Sequence, residues 1–426
     1  ACSFGSDEAG AWVIASMAIA VSLFESPHAE TWKERVLELP ETVDTINPKM
    51  HALFHLFWFQ GVNRGMHGLY PLYQELQRLA CSPAATPYAQ FVAKICEIQY
   101  FEATALHGEC LQAVEETLEY AELHGILLYQ TTLHFLAIAC YLDRMDCASA
   151  QKRLEQMQPY LATAKPWAAA SMHHQFTRLA LMRKEYHQAL YHAEQAFHLG
   201  SGLGSPFILG CSHWMMAQVC HRLERFSEAQ EHLGQCHSVA ERHDCRWARV
   251  MALLYDAQFA FDRGDAPQGM GSLRSCFALA RQGGYLLTCL DDPTVTVRMC
   301  VKALEEDIEV DHVQTIIRRR GLIPESPSVH LEHWPWPIRI YTLGRFSLVR
   351  DGKPLEPGRK AQQMPLRLLK LLIALGGREV AEERLSDILW PESDGDMAHH
   401  AFETTLMRLR KLLGIPEALR FREGTL

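Results

Sequence analysis

Two histidines four residues apart, His51 and His55, have the spacing in this sequence that best fits metal chemistry. On a helix they would project from one face, as zinc-binding histidines do. No glutamate stands next to His51 and no third ligand lies nearby, so two packed or exposed histidines are the favoured interpretation. The adjacent histidines at 173–174 and 399–400 point in different directions. We therefore expect no metal and no cofactor.

Nucleotide hydrolysis is also not indicated, because the phosphate-binding loop Gly-x4-Gly-Lys-Ser/Thr does not occur in the sequence. No other set of catalytic side chains stands at a suitable spacing. The sequence therefore predicts a protein that is not an enzyme.

A predicted helix from Asp396 to Leu413 carries side chains suited to DNA. At 100° per residue one face is apolar and the opposite face is polar and cationic. Arginine can bond guanine edges, threonine a base or a phosphate, methionine a thymine methyl and lysine a phosphate. The alternative is a merely solvated face. The predicted core positions are Ala398, Phe402, Leu406, Leu409 and Leu413, and the predicted DNA-contacting residues are His400, Thr404, Met407, Arg408, Arg410 and Lys411.

The charge is unevenly distributed along the chain. The whole sequence has a net charge of -9, which would ordinarily argue against nucleic acid. Residues 338–426 nevertheless hold 15 Lys and Arg against 12 Asp and Glu, while residues 1–337 hold 26 against 38. The two parts are therefore expected to have different partners.

The elements before this helix read as a small domain. Alternating apolar residues from Ile338 to Leu348, followed by the turn Asp351-Gly352, predict a small antiparallel sheet. Ala381 stands before the second predicted helix, where a capping Ser or Thr would be expected, and the missing cap lowers the stability of that helix by about 1 kcal/mol. Three helices are predicted at Leu366–Leu375, Glu382–Trp390 and Asp396–Leu413, the last with Ser393 or Asp394 as N-cap and Gly414 as its end.

Six short motifs in this region resemble, in their order and spacing, the winged-helix domain of SARP-type antibiotic regulatory proteins. That domain is a relative of the OmpR-type DNA-binding domain. The resemblance implies a sequence-specific activator that binds direct repeats in double-stranded promoter DNA, with RNA polymerase as a further partner. Leu419 to Leu426 looks like the first strand of the wing, so the wing is expected to be incomplete. The motifs are Leu343-Gly344-Arg345-Phe346, Asp351-Gly352-Lys353-Pro354-Leu355, Leu368-Leu369-Lys370-Leu371-Leu372, Arg384-Leu385, Leu389-Trp390-Pro391 and Leu409-Arg410-Lys411-Leu412-Leu413-Gly414.

A short turn recurs five times in the first three quarters of the chain. Its closing small residues lie 37, 39, 40 and 40 positions apart, and apolar or small residues follow each at four and seven positions, with a drift of one in the first copy. That spacing predicts one buried helix face per repeat. Two antiparallel helices approach closely only where a side chain is small. The closing residues are Ala113, Ala150, Ala189, Ala229 and Gly269.

This turn resembles the Gly-Asp-Tyr-x-x-Ala loop of the tetratricopeptide repeat. The period of about 40 instead of about 34 is similar to the longer-helix variant of maltose-activator-type regulators, in which an NTPase module often lies upstream. The resemblance covers about residues 90–285 and implies a superhelix with a concave groove for a small effector or partner peptide. Ordinary packing or solvated residues are the alternative. The predicted groove residues are His174, Arg178, Trp214, Gln218 and Gln258.

The predicted fold is therefore mostly α, with a TPR-like superhelix over residues 1–322, a linker rich in Pro and Trp over 323–337, and a small α+β winged helix over 338–426. Ala9 to Phe24 is apolar but short and interrupted, which favours a buried helix over a membrane span. The 13 scattered cysteines favour reduced thiols in the cytoplasm. The first residue is Ala1, so the sequence is expected to begin inside a longer product.

Three hypotheses for function follow. The leading one is a DNA-binding activator whose helical repeats sense an effector or a partner. The second is an interaction scaffold whose winged helix contacts protein instead of DNA. The third is a metal-dependent enzyme built on His51 and His55. The run Arg318-Arg319-Arg320-Gly321 is read as the basic end of a helix, with nucleic-acid contact as the lesser alternative.

Overall fold

A computed structural model describes residues 37, 41–161, 164–203, 205–288, 291–324, 331, 333–350, 352–355, 363–415 and 418–426. The chain divides after Trp334 into two compact units, called here the repeat unit and the C-terminal unit. The predicted helix from Ala9 to Phe24 lies outside the described residues. No helix in the described ranges has the length and apolar character needed to cross a membrane.

The repeat unit consists of helices packed in consecutive antiparallel pairs, which confirms the predicted mostly helical fold. A π-helical turn, Gln60–Arg64, and a 3₁₀ turn, Met66–Gly68, separate the first two α-helices. In chain order the α-helices are α1 (Ile46–Phe59), α2 (Leu69–Ala80), α3 (Pro87–Ala103), α4 (His107–Leu123), α5 (Gln130–Asp143), α6 (Cys147–Leu161), α7 (Pro166–Met182), α8 (Tyr186–Ser201), α9 (Pro206–Arg222), α10 (Phe226–Arg242), α11 (Arg246–Asp262), α12 (Ala266–Gly283), α13 (Pro293–Glu305) and α14 (Val310–Arg320).

The repeated turn has one backbone geometry. Each first helix of a pair ends on a residue with positive φ, and the next amide donates to the carbonyl five residues back, as in a Schellman motif. These left-handed residues lie 40, 39, 40 and 40 positions apart, so the period is more regular than the sequence predicts. They are Ala105, Met145, Lys184, Glu224 and Gly264.

The predicted first copy of the turn lies three residues too late in the chain. A fully buried small residue lies five positions after each left-handed residue, and in the first repeat this residue is Cys110. Ala113 is only partly buried. Gly108 suggested a loop, but it lies inside α4, and the left-handed position before it is occupied by Ala105.

Steric contact explains why the closing residue is small. At Gly269 an added Cβ would lie 2.8 Å from the ring of Phe261 on the preceding helix. A larger side chain would therefore push α11 and α12 apart. Ala150, Ala189 and Ala229 are likewise fully buried at the equivalent positions.

The two ends of the repeat array meet in what we call the closing contact, formed by residues 61–65 against 244–246 and 283–285. Arg64 Nη1 lies 2.6 Å from Asp244 Oδ2, and Arg246 Nη1 donates to the Arg64 carbonyl at 3.0 Å. The Tyr285 hydroxyl donates to the Gly61 carbonyl at 3.0 Å. The superhelix is therefore closed on itself, whereas the repeat pattern alone predicts an open groove.

Part of the segment predicted as a linker packs on the repeat unit. Leu331 and Trp334 are buried, and Gln314 on α14 donates its side-chain amide to the His333 carbonyl at 2.8 Å. The helix α14 itself ends at Gly321 in the left-handed conformation that glycine favours. This agrees with the basic helix terminus read from the sequence.

The C-terminal unit contains the predicted antiparallel sheet, with strands β1 (Ile338–Tyr341), β2 (Ser347–Arg350) and β3 (Lys353–Pro354) in the order β1-β2-β3. In the register of the first pair, Ile338 faces Arg350. The predicted alternation fails on β1, because Ile340 and Tyr341 are both exposed. This strand lies at the edge of the sheet, where burial on one face is incomplete.

Three helices follow, α15 (Gln363–Ala374), α16 (Glu382–Leu389) and α17 (Gly395–Leu413), close to the predicted ranges. The Asp394 side chain accepts from the Met397 amide and caps α17, while Ala381 makes no capping bond at the start of α16. Leu368, Leu385, Phe402 and other leucines form one core.

The segment from Leu419 to Leu426 does not form the single strand that was predicted. It bends at Glu423 and Gly424, both with positive φ, so that Arg422 pairs with Thr425. Leu426 and Val380 then exchange backbone hydrogen bonds of 2.9 and 3.0 Å. Two residues in the left-handed region close a tight hairpin turn, which explains the early bend.

Candidate functional site

The helix α17 has the two faces that its sequence predicts. Ala398, Phe402, Leu406, Leu409 and Leu413 are all buried, which confirms the predicted core face. Thr405 is buried with them, although the helical-wheel prediction omitted it. Among the predicted DNA-contacting residues, His400, Met407, Arg408 and Lys411 are exposed and Thr404 is partly buried.

Arg410 has a different position from the one expected of a DNA contact. Its Nε and Nη2 donate to the Leu419 carbonyl at 3.1 and 2.8 Å, and the side chain is partly buried. The guanidinium therefore holds the segment after the helix in place. At 100° per residue Arg410 lies at the border between the apolar and the polar face of the helix, and this position is the signal in the sequence for such a role.

The two ends of α17 differ in charge. Asp394, Asp396 and Glu403 are exposed around its first half, and the Glu382 carboxylate bonds the imidazole of His399, which raises the pKa of that histidine. Arg408 and Lys411 are exposed at the second half. A phosphate backbone would therefore be favoured only near the C-terminal half of the helix.

A surface depression runs beside this face. Met364 from α15, Trp390 after α16, and His400, Thr404 and Arg408 from α17 are among its lining residues. The depression combines aromatic, polar and cationic groups with one carboxylate, that of Asp396. Such a surface can contact a base edge, a phosphate or an acidic partner.

The five predicted groove residues lie inside the repeat unit and do not line an open surface. None is more than 5% exposed. Trp214 packs edge-on against Trp247 and Tyr255, and the side-chain amide of Gln218 contacts the Met215 sulfur at 3.8 Å. Gln258 is likewise buried. Helix pairs that bend into a closed superhelix bury the face that an open array would expose. Their role in binding an effector stays a prediction.

Arg178 belongs to a buried ionic cluster that we call the central ion cluster, formed with Asp143, Asp291 and Arg320. Arg320 holds Asp291 through two bonds of 2.9 and 3.0 Å, and Arg178 Nε donates to the Asp291 carbonyl at 2.7 Å. Arg178 also bonds the Asp143 carboxylate. The cluster therefore joins α5, α7 and α14. Because Arg320 is buried, only Arg318 and Arg319 of the basic run are exposed.

The charges of this cluster nearly cancel. Burial opposes ionisation of Asp143, but Arg178 and Arg320 outweigh it and hold the pKa of that carboxyl well below its usual range. Burial and the neighbouring Asp143 raise the pKa of Glu102 on α3 to about 8, so Glu102 is mostly protonated at neutral pH. Two arginines then face two carboxylates.

A cavity of about 110 Å³ lies inside the repeat unit. His174 is the predicted groove residue that borders it; its Nε2 lies 3.0 Å from the Ser212 hydroxyl, and burial lowers its pKa to about 3. Much of the wall is aromatic, and these residues could not be grouped from the sequence because they come from four separate helices. They are Phe57, Trp58, Trp167, Phe207 and Trp247.

The two histidines considered for metal binding pack against aromatic rings. The His51 ring lies 5.0 Å from that of Tyr88 and the His55 ring 5.1 Å from that of Phe54. Burial lowers the pKa of both, that of His55 to about 4. Within the described ranges no group of three His, Cys, Asp or Glu side chains could hold a metal ion.

The adjacent histidines His173 and His174 do point in different directions, as predicted. The His173 Nδ1 lies 3.0 Å from His192 Nδ1, while His174 contacts Ser212. One repeat further on, His213 and His232 form the same 3.0 Å pair.

Comparisons with known proteins support the fold of this chain. No family model matches the sequence, and no curated protein does. A crystal structure of a Rap protein complexed with competence and sporulation factor superposes with a TM-score of 0.53 at 10% identity, over 96% of this chain and 100% of that one. At that identity the likeness shows a shared helical-repeat fold and nothing finer.

Two further structures match less well. The apo form of RapI gives a TM-score of 0.40 at 10% identity, over 96% of this chain and 99% of that chain. Aspartyl phosphate phosphatase F from Bacillus subtilis gives 0.40 at 11%, over 99% and 98%.

Proposed function

We propose that this chain is a cytoplasmic transcription regulator whose C-terminal unit binds double-stranded DNA through α17 and whose repeat unit receives a small effector or a protein partner. The observation that carries the proposal is the exposed polar face of α17, which ends in Arg408 and Lys411 and lies opposite a fully buried apolar face. Binding to promoter direct repeats and contact with RNA polymerase are the finer parts of the proposal, and they depend on the SARP-type resemblance.

The roles on α17 follow from the chemistry of its side chains. Arg408 and Lys411 would bond a guanine edge or the phosphates, while Thr404 and Met407 would meet base edges in the major groove. His400 lies one turn earlier on the same face. The acidic residues around the first half would keep that end away from the phosphates.

The proposal includes the domain division read from the sequence, with repeats over 1–322, a linker over 323–337 and a winged helix over 338–426. The boundary between compact units after Trp334 falls inside the proposed linker. Trp334 packs with the repeats, so the part of the linker that belongs to neither unit's core would begin after it.

The replacement Arg408→Ala is expected to weaken duplex binding by about 1–3 kcal/mol, because it removes one exposed cation from the proposed interface. Fluorescence anisotropy of a labelled duplex, titrated with the full chain at two salt concentrations, measures the effect. A lower slope of log affinity against log salt is also expected.

Arg378→Ala is the matched control for that experiment. Arg378 is an exposed arginine between α15 and α16 of the same unit and lies outside the α17 face. Equal binding by the wild type and the Arg408 variant would show that Arg408 is not part of the site. Equal losses of affinity in the Arg408 and Arg378 variants would show that only the net charge of the unit matters.

A protein-interaction scaffold is the second candidate function. The observation that favours it is the group of exposed acidic residues around the first half of α17, Asp394, Asp396 and Glu403. These carboxylates would repel a duplex and could accept bonds from a basic partner. Failure of the full chain to bind any duplex at low salt would favour this scaffold over the regulator.

A further inference from the structure

The interior cavity of the repeat unit has walls suited to a ring compound. Phe57, Trp58, Trp167, Phe207 and Trp247 border it. Aromatic side chains pack well against other rings, with edge-on or offset contacts. Trp167 is 37% exposed, so the cavity has a side that faces solvent.

Polar groups without partners lie in the same wall. Gln99 on α3 is 6% exposed, and neither its side-chain oxygen nor its nitrogen has a hydrogen-bond partner within the described part of the chain. The Thr132 hydroxyl on α5 also has no hydrogen-bond partner in that part of the chain, and Thr132 is 4% exposed. A buried amide without a partner is costly, and a ligand that bonds it would remove that cost.

Few charges face this cavity at neutral pH. Burial keeps the His174 imidazole neutral, with a pKa of about 3, and burial with Asp143 raises the pKa of Glu102 to about 8. No lysine or arginine borders the cavity among the described residues. A charged ligand would therefore lose its hydration without gaining a counter-ion.

The volume limits the ligand to about one ring. An engineered apolar cavity of about 150 Å³ holds benzene, and this cavity measures about 110 Å³ with one side toward solvent. A side-chain amide such as that of Gln99 offers a donor and an acceptor next to each other. The complementary ligand carries an adjacent acceptor and donor, as a lactam or a carboxamide does.

We propose that this cavity binds a small uncharged aromatic or heteroaromatic compound that pairs a hydrogen-bond donor and acceptor with the side chain of Gln99. That this compound is the effector rests on the proposed function. The binding of the compound to the cavity does not depend on DNA binding.

The cavity also lies beside the closing contact. Gly61 and Val62, whose carbonyls accept from the Tyr285 hydroxyl, border it, and so does Trp247 on α11. A compound held between these walls would strengthen the closed form of the superhelix. Binding is therefore expected to raise the melting temperature of the full chain.

The test titrates the full chain with 2-pyridone, a one-ring lactam, and with toluene, which has the same number of heavy atoms and no polar group. Calorimetry and the fluorescence of the cavity tryptophans report binding, without DNA present. The replacement Gln99→Leu is expected to weaken 2-pyridone binding at least tenfold and to leave toluene binding within threefold. Thr132→Val, a change of similar shape, gives a second variant that keeps the wall intact.

Gln175→Leu is the matched control. Gln175 is also fully buried with both side-chain atoms unpartnered in the described structure, but it does not border the cavity. Saturable 2-pyridone binding that Gln99→Leu weakens and Gln175→Leu does not would support the proposal. Absence of saturable binding by 2-pyridone in the wild type, or equal losses in both glutamine variants, would overturn it. Loss of duplex binding in the Arg408 variant leaves either result unchanged, so the two proposals fail separately.

Discussion

Replacing Arg320 with alanine is expected to lower the free energy of unfolding by about 3–5 kcal/mol, because it leaves two buried carboxylates with one cation between them. Arg320 holds Asp291 through two bonds of 2.9 and 3.0 Å, and its Nη2 also lies 3.5 Å from Asp143. Once it is removed, Arg178 alone faces both carboxylates. Urea denaturation followed by circular dichroism measures the loss.

The loss of stability in the Arg320→Ala variant should also depend on pH. Burial raises the pKa of Asp291, and loss of the Arg320 charge raises it further. A carboxyl whose pKa is higher in the folded state than in the unfolded state destabilises the fold above that pKa, and the penalty disappears as protonation sets in. The Arg320→Ala variant should therefore recover part of its stability as the pH is lowered from 8.

The neighbouring Arg319→Ala is the control, since Arg319 is exposed on the same helical turn. It should change stability by less than about 0.5 kcal/mol. If the two variants were equally stable at pH 8, the central ion cluster would not hold α14 to the repeats.

Replacing Gly65 with alanine is expected to cost about 3 kcal/mol, because two effects act at one residue. Gly65 has a φ of 110°, where other residues are strained. An added Cβ would also lie 2.6 Å from the Gly283 carbonyl oxygen, which is backbone and cannot turn away. The closing contact should separate, so that Arg64 no longer reaches Asp244.

Gly61→Ala is the control in the same segment. Its Cβ would meet the Leu69 side chain at 3.7 Å, an ordinary contact, and its φ is not in the left-handed region. Such a change stabilises by about 0.4–1 kcal/mol through the unfolded chain. A Gly65→Ala variant as stable in urea as Gly61→Ala would show that the closing contact is dispensable.

Local features of the molecule could be predicted from the sequence because they depend on near neighbours. The buried face of α17 repeats every three or four residues, and Asp394 and Gly414 mark its ends, so the pattern determines both range and orientation. The turns of the repeat followed from small residues about 40 positions apart. The predicted position of the first turn is wrong because Gly108 is typical of a loop, whereas Ala105 holds the left-handed position.

Features that depend on distant residues could not be predicted in the same way. Nothing near His174 or Arg178 in sequence indicates that the superhelix closes and buries them. Arg178 meets Asp291, 113 positions later, and Gly61 meets Tyr285, 224 positions later. The run of three arginines likewise gave no sign that its last member is buried among carboxylates, since charge patterns favour exposed arginines.

Most solenoids can fold from any point, because each repeat touches only its neighbours. This chain differs, since the Tyr285 hydroxyl that donates to the Gly61 carbonyl is synthesised 224 residues after it. At roughly 5–20 residues per second of synthesis, that interval lasts roughly 10–45 s. The first helices are therefore synthesised long before their distant partners. A nascent chain arrested before α12 would expose residues 61–65 to chaperones.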